Sequence, residues 1–428
     1  MYNIKKKDLG NYDIAVCGGG IAGVCAAVSA AREGAKVILL EKGGSLGGTL
    51  TEGYVPQILD GSNKGGLVKE LFDFLNAHQM TCSRVGAKAD THGNRIPGSM
   101  IDTEGAKYFF DKICAESGVK VLFHSQVMAA DVEAKKIREV LVATECCNYV
   151  LKADVFIDAT GNGIVADFAG CEWECGDPSE GRVSPTSMGI CVTGMPADYN
   201  GTDTGEEKTA YAQMLLKHGI NISTQQATVV KMPSLQSWSM GVNFGYNAMP
   251  DDIHSLSEAV IGGRKEAFEI VEKHKKIPGY ERLNISFSSS HVGVREGRRI
   301  FGEYRISDED ILTGRKFEDG ICTVTFGVDV HKLKSDDTLS CQRGYKAIPY
   351  HIPYRSLIPK DCDNLMLAGR CISGDFYPHA SYRVMGNMAA TGEAGGYAAA
   401  LCVKECILPR EFDGKRVSAF MKKRGYEI

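Results

Sequence analysis

The apolar residues of this 428-residue chain follow two patterns that alternate along it. Unbroken apolar runs at 14–17, 37–40 and 365–368 are typical of strands buried on both faces of a parallel sheet. Elsewhere apolar residues recur every three or four positions, as in 67–79, which predicts a helix with one buried face. Strands and helices that alternate in this way predict an α/β fold built on a parallel sheet.

Three short runs alternate apolar and polar residues with a period of two, around 126–132, 137–143 and 148–151. This alternation predicts a small antiparallel β-meander. The other predicted elements are helices at 103–117, 255–275 and 386–403 and buried strands at 119–123 and 154–158.

The middle of the chain differs from its two ends. Residues 171–345 contain both tryptophans and mixed strand patterns, and the chain exceeds the roughly 250–300 residues that one core supports. We therefore predict a discontinuous Rossmann-like domain, including the meander, made of residues 1–50, 98–170 and 346–428. Residues 51–97 and 171–345 are predicted to form an inserted mixed α+β domain that covers the substrate.

Three glycines, Gly18, Gly20 and Gly23, follow the first predicted strand with the spacing of a dinucleotide fingerprint. The first allows a tight turn, the second lets the backbone approach a pyrophosphate, and the third lets the helix pack close to the strand. The pyrophosphate is then expected at the free amides that begin this helix. Glu41 ends the next strand, 23 residues after Gly18, where a carboxylate binds a ribose hydroxyl in such sites.

Charge and cysteine content disfavour several classes of function. The net charge of −4 disfavours nucleic acid or an anionic membrane surface as the main partner, and no other apolar stretch reaches the ~20 residues that span a bilayer. The 15 cysteines are scattered without a C-x-x-C pair, so no iron–sulfur cluster, other metal site or disulfide scaffold is expected. Residues 5–7 and 14–31 imitate a signal peptide, but the fingerprint lies inside that stretch. We expect a cytoplasmic protein.

The fingerprint alone fits either NAD or FAD. Two later segments resemble the second and third glycine motifs of the glutathione-reductase-like class of FAD proteins: Asp-Ala-Thr-Gly at 158–161 and Asn-Leu-Met-Leu-Ala-Gly at 364–369. In that class the second motif runs toward the adenosine side of the cofactor, and the third toward its ribityl chain and flavin. The resemblance implies FAD, bound by a domain assembled from separate parts of the chain.

Segments 295–304, 352–359 and 364–373 resemble a family of bacterial FAD-dependent oxidoreductases related to fumarate reductase and succinate dehydrogenase flavoproteins. The resemblance covers both ends of the chain and leaves about 200–290 without a match. Residues 379–387 also share the order His-x3-Arg-x2-Gly-Asn with fumarate reductase flavoproteins.

That shared order implies roles for individual residues. His379 and Arg383 would line the substrate pocket, and Gly386 and Asn387 would hold the pyrimidine edge of the flavin. A helix N-terminus aimed at the flavin would stabilise the negative charge that develops when a hydride arrives. Tyr382 is a weaker candidate for proton transfer.

The sequence also departs from the fumarate reductases. They carry an acid after the third-motif glycine, where this chain has Arg370. Fumarate is therefore not expected as the substrate. The loop after Glu41, where relatives carry a flavin-linked histidine, has Thr49, Leu50 and Thr51 instead. We therefore expect non-covalent FAD.

The predicted site has two parts. The catalytic candidates are His379, Arg383 and Tyr382. The arginines at 295, 298 and 299 could also approach an anion, although a solvated or salt-bridged strand face is the favoured interpretation. The predicted cofactor contacts are Gly18, Gly20, Ile21, Ala22, Gly23, Glu41, Lys42, Gly47, Gly48, Thr49, Val127, Ala159, Thr160, Gly161, Gly369, Arg370, Gly386, Asn387 and Met388.

The leading functional hypothesis is a dehydrogenase or enoate-type reductase that moves a hydride between FAD and a small polar, anionic or neutral molecule. Only one fingerprint occurs, so the electron donor or acceptor is expected to be a transient external partner. A flavin hydroxylase is a second hypothesis, but the chain lacks an NAD(P)H-linked hydroxylase motif. A flavin-binding electron-transfer subunit is a third. The sequence is compatible with a homo-oligomer.

Overall fold

The computed structural model describes residues 5–82, 100–179, 181–224, 226–234, 236–331, 333 and 347–428. In chain order, the first elements are β1 (Lys6–Cys17), α1 (Ile21–Arg32), β2 (Val37–Leu40), α2 (Gly66–Ala77), β3 (Thr81–Cys82), β4 (Met100–Ile101), α3 (Thr103–Glu116), β5 (Lys120–Leu122), β6 (Gln126–Glu133), β7 (Lys136–Ala143), β8 (Asn148–Asp158) and α4 (Ile164–Phe168). The remaining elements are β9 (Trp173–Glu174), β10 (Ile190–Thr193), α5 (Gly205–Lys217), β11 (Thr228–Lys231), β12 (Ser237–Gly241), α6 (Ile253–His274), β13 (Asn284–Ser288), β14 (Arg299–Ile300), α7 (Asp308–Thr313), β15 (Gly320–Val324), β16 (Tyr350–Pro353), β17 (Leu365–Leu367), α8 (Phe376–Tyr382), α9 (Met385–Glu405) and α10 (Gly414–Lys423).

The main sheet has a parallel part in the order β5-β2-β1-β8-β17. Its register places the last residues of the central strands at one level, because Cys17 of β1 pairs with Asp158 of β8, and Leu367 of β17 pairs with Asp158 from the other side. The α/β class with a parallel sheet is confirmed, and this sheet is consistent with a Rossmann-like FAD-binding fold.

The predicted meander is also present: β6 pairs antiparallel with β7, and β7 pairs antiparallel with the start of β8. One detail was wrong: the strands predicted at 148–151 and 154–158 are a single strand, β8. Its first half pairs with β7 and its last residues pair with β17, while β1 pairs with both halves. This shared neighbour keeps the strand continuous where its outer partner changes.

Helices α1 and α9 pack against each other beside this sheet, and two glycines of α9 bring their backbones into contact. A Cβ at Gly392 would lie 2.0 Å from the carbonyl oxygen of Ala22, and one at Gly396 would lie 2.1 Å from that of Ala26. The predicted alanine- and glycine-rich helix at 386–403 is therefore confirmed as α9, slightly longer at both ends.

A second sheet, antiparallel in the order β11-β12-β10-β13, has a hydrophobic core of its own. Helices α5 and α6 contribute to this core, and α6 buries Ala267, Ile270, Val271 and His274 on one side. This matches the amphipathic helix predicted at 255–275. The domain boundaries given above stay a prediction, because a separate core does not by itself define them.

Among the helices of the described residues, none combines the length and the hydrophobicity that a membrane-spanning helix requires.

Candidate functional site

The carboxyl ends of β1, β8 and β17 meet at one edge of the main sheet. The amide of Gly18 donates to Leu40 (2.8 Å), that of Ala159 to Cys17 (2.8 Å) and that of Ala368 to Asp158 (2.9 Å). The strand order reverses between β1 and β8, because β2 and β5 lie on one side of β1 and β8 on the other. Ligands of open α/β sheets bind in the crevice at such a point.

The three fingerprint glycines occupy different environments in this crevice. A Cβ on Gly18, whose φ is +104°, would lie 2.5 Å from the Ala159 oxygen, and one on Gly23 would lie 1.8 Å from the Gly18 oxygen. A Cβ on Gly20 would have no protein atom within 4 Å among the described residues, and Gly20 has an ordinary φ of −65°. Two of the glycines are therefore required by packing, and Gly20 leaves open space in front of α1.

That open space lies at the N-terminus of α1, whose first residues are Ile21 and Ala22. The first amides of a helix have no intrahelical partner and carry the positive end of the helix dipole. The space and the amides together fit a pyrophosphate.

The Glu41 carboxylate, which is buried, links two of the loops around the crevice. It accepts hydrogen bonds from the amides of Gly19 (2.6 Å) and Gly43 (2.7 Å). The Glu41 carbonyl also accepts from Ser125 (2.9 Å), just before β6, which brings buried Val127 toward this loop. Lys42, the next residue, is exposed.

The glycine-rich segment after β2 lies across the fingerprint turn. The amide of Gly47 donates to the Gly19 oxygen (2.8 Å), and a Cβ on Gly48 would lie 3.0 Å from the Gly20 Cα. Thr49 follows with an exposed side chain. The structure therefore brings this loop to the open space at Gly20, as the sequence predicts.

Arg370, which follows the third glycine motif, packs against Gly161 of the second motif. Asp158 accepts from the Thr160 amide (3.0 Å) and hydroxyl (2.6 Å), which holds the turn that follows β8. Gly161 has a φ of +76°, and a Cβ there would lie 2.4 Å from the Arg370 guanidinium. The amide of Gly369, just before Arg370, donates to the hydroxyl of Thr391 in α9 (2.9 Å).

The N-terminus of α9 holds a side chain with unused hydrogen-bonding groups. Asn387 is fully buried, and neither its Oδ1 nor its Nδ2 has a partner among the described residues. Gly386 precedes it and packs on the segment before α2, where a Cβ would lie 2.2 Å from the Asp60 oxygen. Met388 follows and is buried. A buried amide without partners is costly, so this site fits a ligand edge that both donates and accepts.

Three arginine side chains, of which Arg383 is buried and Arg295 and Arg370 are half-buried, lie close enough to affect one another's charge. Arg383 donates to the Asp329 carbonyl (2.7 Å), and its guanidinium lies 3.9 Å from the Asp329 carboxylate. Arg370 hydrogen-bonds the Val294 carbonyl and the Asn162 side chain, and Arg295 donates to the Pro185 carbonyl (2.5 Å). Burial and the charge of Arg383 lower the pKa of both Arg295 and Arg370 to about 10.

Asp329 is the carboxylate that faces this cluster, and it is shared. Its Oδ2 lies 3.2 Å from Nε2 of His331. Burial by itself raises the pKa of Asp329. The His331 hydrogen bond and the charges of His331, Arg383 and Arg295 lower it by more, so the pKa lies well below its usual range. Asp329 therefore faces Arg383 and Arg295, and Glu296, which pairs with Arg299, also acts on Arg383. Arg295 and Arg370 have no ion-pair partner within 4 Å in the described part of the chain, which leaves an excess of positive charge.

His379 lies beside the same arginines, 1% exposed. Burial and the charges of Arg383, Arg299 and Arg370 lower the pKa of His379 well below its usual value, so its imidazole is neutral near pH 7. It also makes a hydrogen bond with the Arg370 backbone that raises this pKa, which identifies the acceptor as the carbonyl. Nε2 has no partner among the described residues, so Nδ1 donates and Nε2 keeps a free lone pair.

Tyr382, the third catalytic candidate, is already engaged. Its hydroxyl donates to the Ile372 carbonyl (3.1 Å), and its ring packs against Gly374 and meets His379 edge-on at 5.5 Å. Burial raises the pKa of Tyr382 far above its usual value. This environment favours a packing role over proton transfer.

The arginines at 295–299 separate into two kinds. Arg299 pairs with Glu296 and Glu174, and Arg298 pairs with Asp167 (3.3 Å), in agreement with the salt-bridged interpretation. Arg299 is buried rather than solvated. Arg295 belongs instead to the cluster around Arg383; the sequence analysis left an approach to an anion open for it but favoured a solvated or salt-bridged face. Sequence reasoning missed Asp329 and His331. No local motif marks these residues, because 295, 329 and 383 meet only through the fold.

Comparisons with known proteins agree with this geometry. The model of the FAD-dependent oxidoreductase family matches residues 13–421. A search of curated proteins found no match.

Among solved structures, OxyS anhydrotetracycline hydroxylase from Streptomyces rimosus is 11% identical with a TM-score of 0.50, covering 97% of this chain and 66% of that one. CabE, an aromatic hydroxylase from angucycline biosynthesis, is 12% identical with a TM-score of 0.50, covering 97% and 69%. A geranylgeranyl bacteriochlorophyll reductase-like protein from Thermoplasma acidophilum is 15% identical with a TM-score of 0.47, covering 96% and 82%.

These structural likenesses are too distant in sequence to indicate more than the fold. The family match spans nearly the whole chain, and it agrees with the fingerprint and with the two later glycine motifs. The chain therefore belongs to the family of FAD-dependent oxidoreductases, and FAD is its cofactor.

Proposed function

We propose that this enzyme transfers a hydride between non-covalently bound FAD and a small polar organic anion. The observation that carries the proposal is the excess positive charge of Arg295, Arg370 and Arg383, of which only Arg383 has an ion-pair partner, Asp329, in the described part of the chain. Buried charges in proteins are normally paired. An anionic substrate group, such as a carboxylate, would supply the missing charge.

Several residues suit the cofactor. The amides that follow Gly20 would hold the pyrophosphate, Glu41 would bind a ribose hydroxyl, and the Asn387 amide would hydrogen-bond the pyrimidine edge of the flavin. FAD supplies the hydride acceptor or donor when it is bound. The loop after Glu41 has threonine, leucine and threonine at 49–51 where relatives carry a flavin-linked histidine, which supports non-covalent binding.

Arg383 is the residue best suited to orient the substrate. In the described part of the chain it donates to the Asp329 carbonyl and, at 3.4 Å, to the Ser184 hydroxyl, and a guanidinium has five N–H groups. The remaining donors can grip a carboxylate in two places, which fixes its orientation as well as its position. Arg370, between the third motif and His379, would add a second positive charge.

His379 is the candidate that moves a proton, at Nε2. In the free enzyme the nearby arginines keep the imidazole neutral, so its lone pair is available to accept a proton from the substrate. An anion bound by the arginines would offset their charge and raise the proton affinity of Nε2. Substrate binding would thus make His379 a stronger base when the substrate is in place. In a reductive reaction, protonated His379 would instead donate its Nε2 proton to the substrate.

The reaction also needs an electron donor or acceptor, which we propose is a transient external partner, because the chain has a single fingerprint. The cysteines of the described residues are free thiols, which supports the reducing cytoplasm as the location. A homo-oligomer is compatible with the proposal and is not required by it.

The first experiment tests the cofactor and the substrate class together. Purified protein should release FAD on acid precipitation. In anaerobic mixing with hydroxy acids, enoates and neutral sugars, we expect the carboxylates to change the flavin spectrum and the neutral compounds not to. A flavin that only a redox protein oxidises or reduces would instead support the electron-transfer subunit.

The second experiment tests the residues. Replacing Arg383 with Met should lower kcat/KM at least ~30-fold, since losing one member of a buried charge pair costs on the order of 2 kcal/mol or more. His379→Gln should lower kcat ~100-fold or more with a small change in KM, because glutamine cannot accept the proton. Arg298→Met is the matched control, because Arg298 pairs with Asp167 outside the cluster. Equal activity in all three variants would contradict the assignment.

A further inference from the structure

A cavity of about 350 Å³ lies between the second sheet and α6, outside the site described above. Its wall consists of residues 186–188, the segment 243–247 that follows β12, and the side of α6 between residues 255 and 266. Pockets for small organic ligands have volumes of roughly 300–1,000 Å³, so this cavity can hold one.

Glycines on α6 make the room. A Cβ added at Gly262 would have no protein atom within 4 Å among the described residues, and one at Gly263 would lie 3.3 Å from the nearest atom, the Met188 Cβ. Neither glycine has a positive φ. Gly262 is exposed, so its missing side chain leaves the edge of the cavity open to solvent, although a glycine within a helix costs stability relative to alanine.

Asn243 lines the cavity with a hydrogen-bond donor that has no partner. The Met188 amide donates to its Oδ1 (2.9 Å), which determines which end of the side-chain amide is Nδ2. Asn243 is 3% exposed, and Nδ2 has no hydrogen-bond partner in the described part of the chain. A buried donor of this kind is stabilised by a ligand that brings an acceptor.

The charged residues of the lining are both acidic. Glu258 and Glu266 of α6 contribute carboxylates, and none of the described lining residues is basic. Glu266 is held in place by the Ser223 amide (2.7 Å) and hydroxyl (3.0 Å). This charge disfavours an anion and favours groups that donate hydrogen bonds.

Three kinds of small ligand can be compared against these walls. An ammonium group would satisfy the carboxylates but has no acceptor for Asn243. A carboxylate would satisfy Asn243 but would be repelled by Glu258 and Glu266. A hydroxyl both donates and accepts, so a set of hydroxyls satisfies both walls. Phe244 and Tyr246, whose ring centroids are 6.1 Å apart, add apolar surface for the C–H groups of such a molecule.

We propose that this cavity is a binding site for a neutral polyhydroxylated ligand, a sugar or sugar alcohol. The cavity differs from the arginine cluster in charge. The two sites are neighbours in space, because the Phe244 ring that lines the cavity also faces the Arg295 guanidinium at 5.0 Å. The proposal concerns binding alone and does not depend on the proposed redox reaction.

Calorimetric titration of the FAD-loaded protein tests this proposal, with sorbitol, D-glucose and methyl α-D-glucopyranoside as neutral probes. Gluconate and glucosamine serve as the charged comparisons. We expect at least one neutral probe to bind at millimolar concentration or below. If none does, or if only a charged probe binds, the proposal is overturned.

Two kinds of variant locate the binding. Gly262→Leu should weaken the neutral probe more than tenfold by filling the cavity, whereas Gly262→Ala should leave its affinity within about threefold. Asn243→Asp retains an acceptor for the Met188 amide but removes the free N–H, and should weaken binding at least tenfold. Binding of a neutral probe that survives both Gly262→Leu and Asn243→Asp would place it elsewhere and overturn the proposal. These experiments measure binding affinity rather than activity. An Arg383 variant that is inactive in the proposed redox reaction should therefore still bind the neutral probe with unchanged affinity.

Discussion

The crevice at the ends of β1 and β8 and the cavity beside α6 are both lined by glycine, and the reasons are opposite. At Gly18 and Gly23 in the crevice, and at Gly396 where α9 meets α1, a Cβ would come within 2.5 Å of a carbonyl oxygen, so these glycines bring backbones together. At Gly262, as at Gly20, a Cβ would meet open space. Glycine therefore closes contacts in the first region and keeps space open in the second, with Gly20 the exception that leaves room for a ligand.

The two regions also differ in charge. Of the three arginines at the edge of the main sheet, only Arg383 has an ion-pair partner among the described residues, whereas two carboxylates face no basic residue in the described lining beside α6. An anion that the arginines would attract would be repelled by the two carboxylates beside α6. The comparison predicts an anion at the first and a neutral, hydroxyl-rich molecule at the second.

The largest expected effect comes from filling a closed contact. Gly396→Ala would place a Cβ 2.1 Å from the Ala26 carbonyl and separate α9 from α1, so we expect a loss of about 3 kcal/mol or more in the free energy of unfolding. Gly395→Ala on the same helix is the control, because its Cβ would lie 4.0 Å from the nearest atom, Cε of Met366. Urea denaturation measures both. Equal losses would show that the close approach of the helices is not what requires glycine.

The next effect concerns acid. Burial, with a smaller contribution from His218, lowers the pKa of His274 in the second core to about 4. The unfolded chain, with a histidine pKa of ~6.5, binds more protons between pH 6.5 and 4, so stability falls as the pH falls through this window, by about 3 kcal/mol. His274→Phe should remove this loss, seen as a flatter profile of unfolding free energy against pH. Parallel profiles for the two proteins would contradict the prediction.

A smaller effect separates ligand space from packing at the fingerprint. Gly20→Ala should change the stability of the FAD-free protein by less than about 1 kcal/mol, because its φ of −65° suits alanine. FAD affinity should fall at least tenfold, or about 1.4 kcal/mol, because the Cβ enters the space proposed for the pyrophosphate. Fluorescence titration of apoprotein with FAD measures this. Unchanged affinity would place the pyrophosphate elsewhere.

The smallest effect is a gain. Gly262→Ala adds a methyl group to a helix position without any contact, so we expect stability to rise by roughly 0.5–1 kcal/mol. Thermal unfolding measured by circular dichroism would record it as a modest rise in Tm. A loss of stability would show that the added methyl group meets protein atoms at this position.

Much of the main sheet could be predicted because its signals are local. The apolar runs at 14–17, 37–40 and 365–368 correspond to strands, and an unbroken apolar run is itself the mark of a strand buried on both faces. The fingerprint lies between the first strand and α1, as expected. The continuity of β8 could not be predicted, because the alternating pattern at 148–151 changes to an apolar run at 154–158. The pairing of β1 with both halves shows that they form one strand. The roles of individual site residues stay predictions.

The sequence by itself determined the nucleotide-binding turn, the acid at 41 and the order His-x3-Arg-x2-Gly-Asn at 379–387, since each is a short pattern with a direct physical reason. Only the tertiary structure decided that Arg295 joins Arg383 around Asp329, and that Asn243 faces a cavity beside Gly262. Net charge and unpaired groups in a site depend on which distant segments meet there. Sequence spacing does not contain that information, because the residues involved are separated by tens of positions and are brought together by sheet pairing and helix packing.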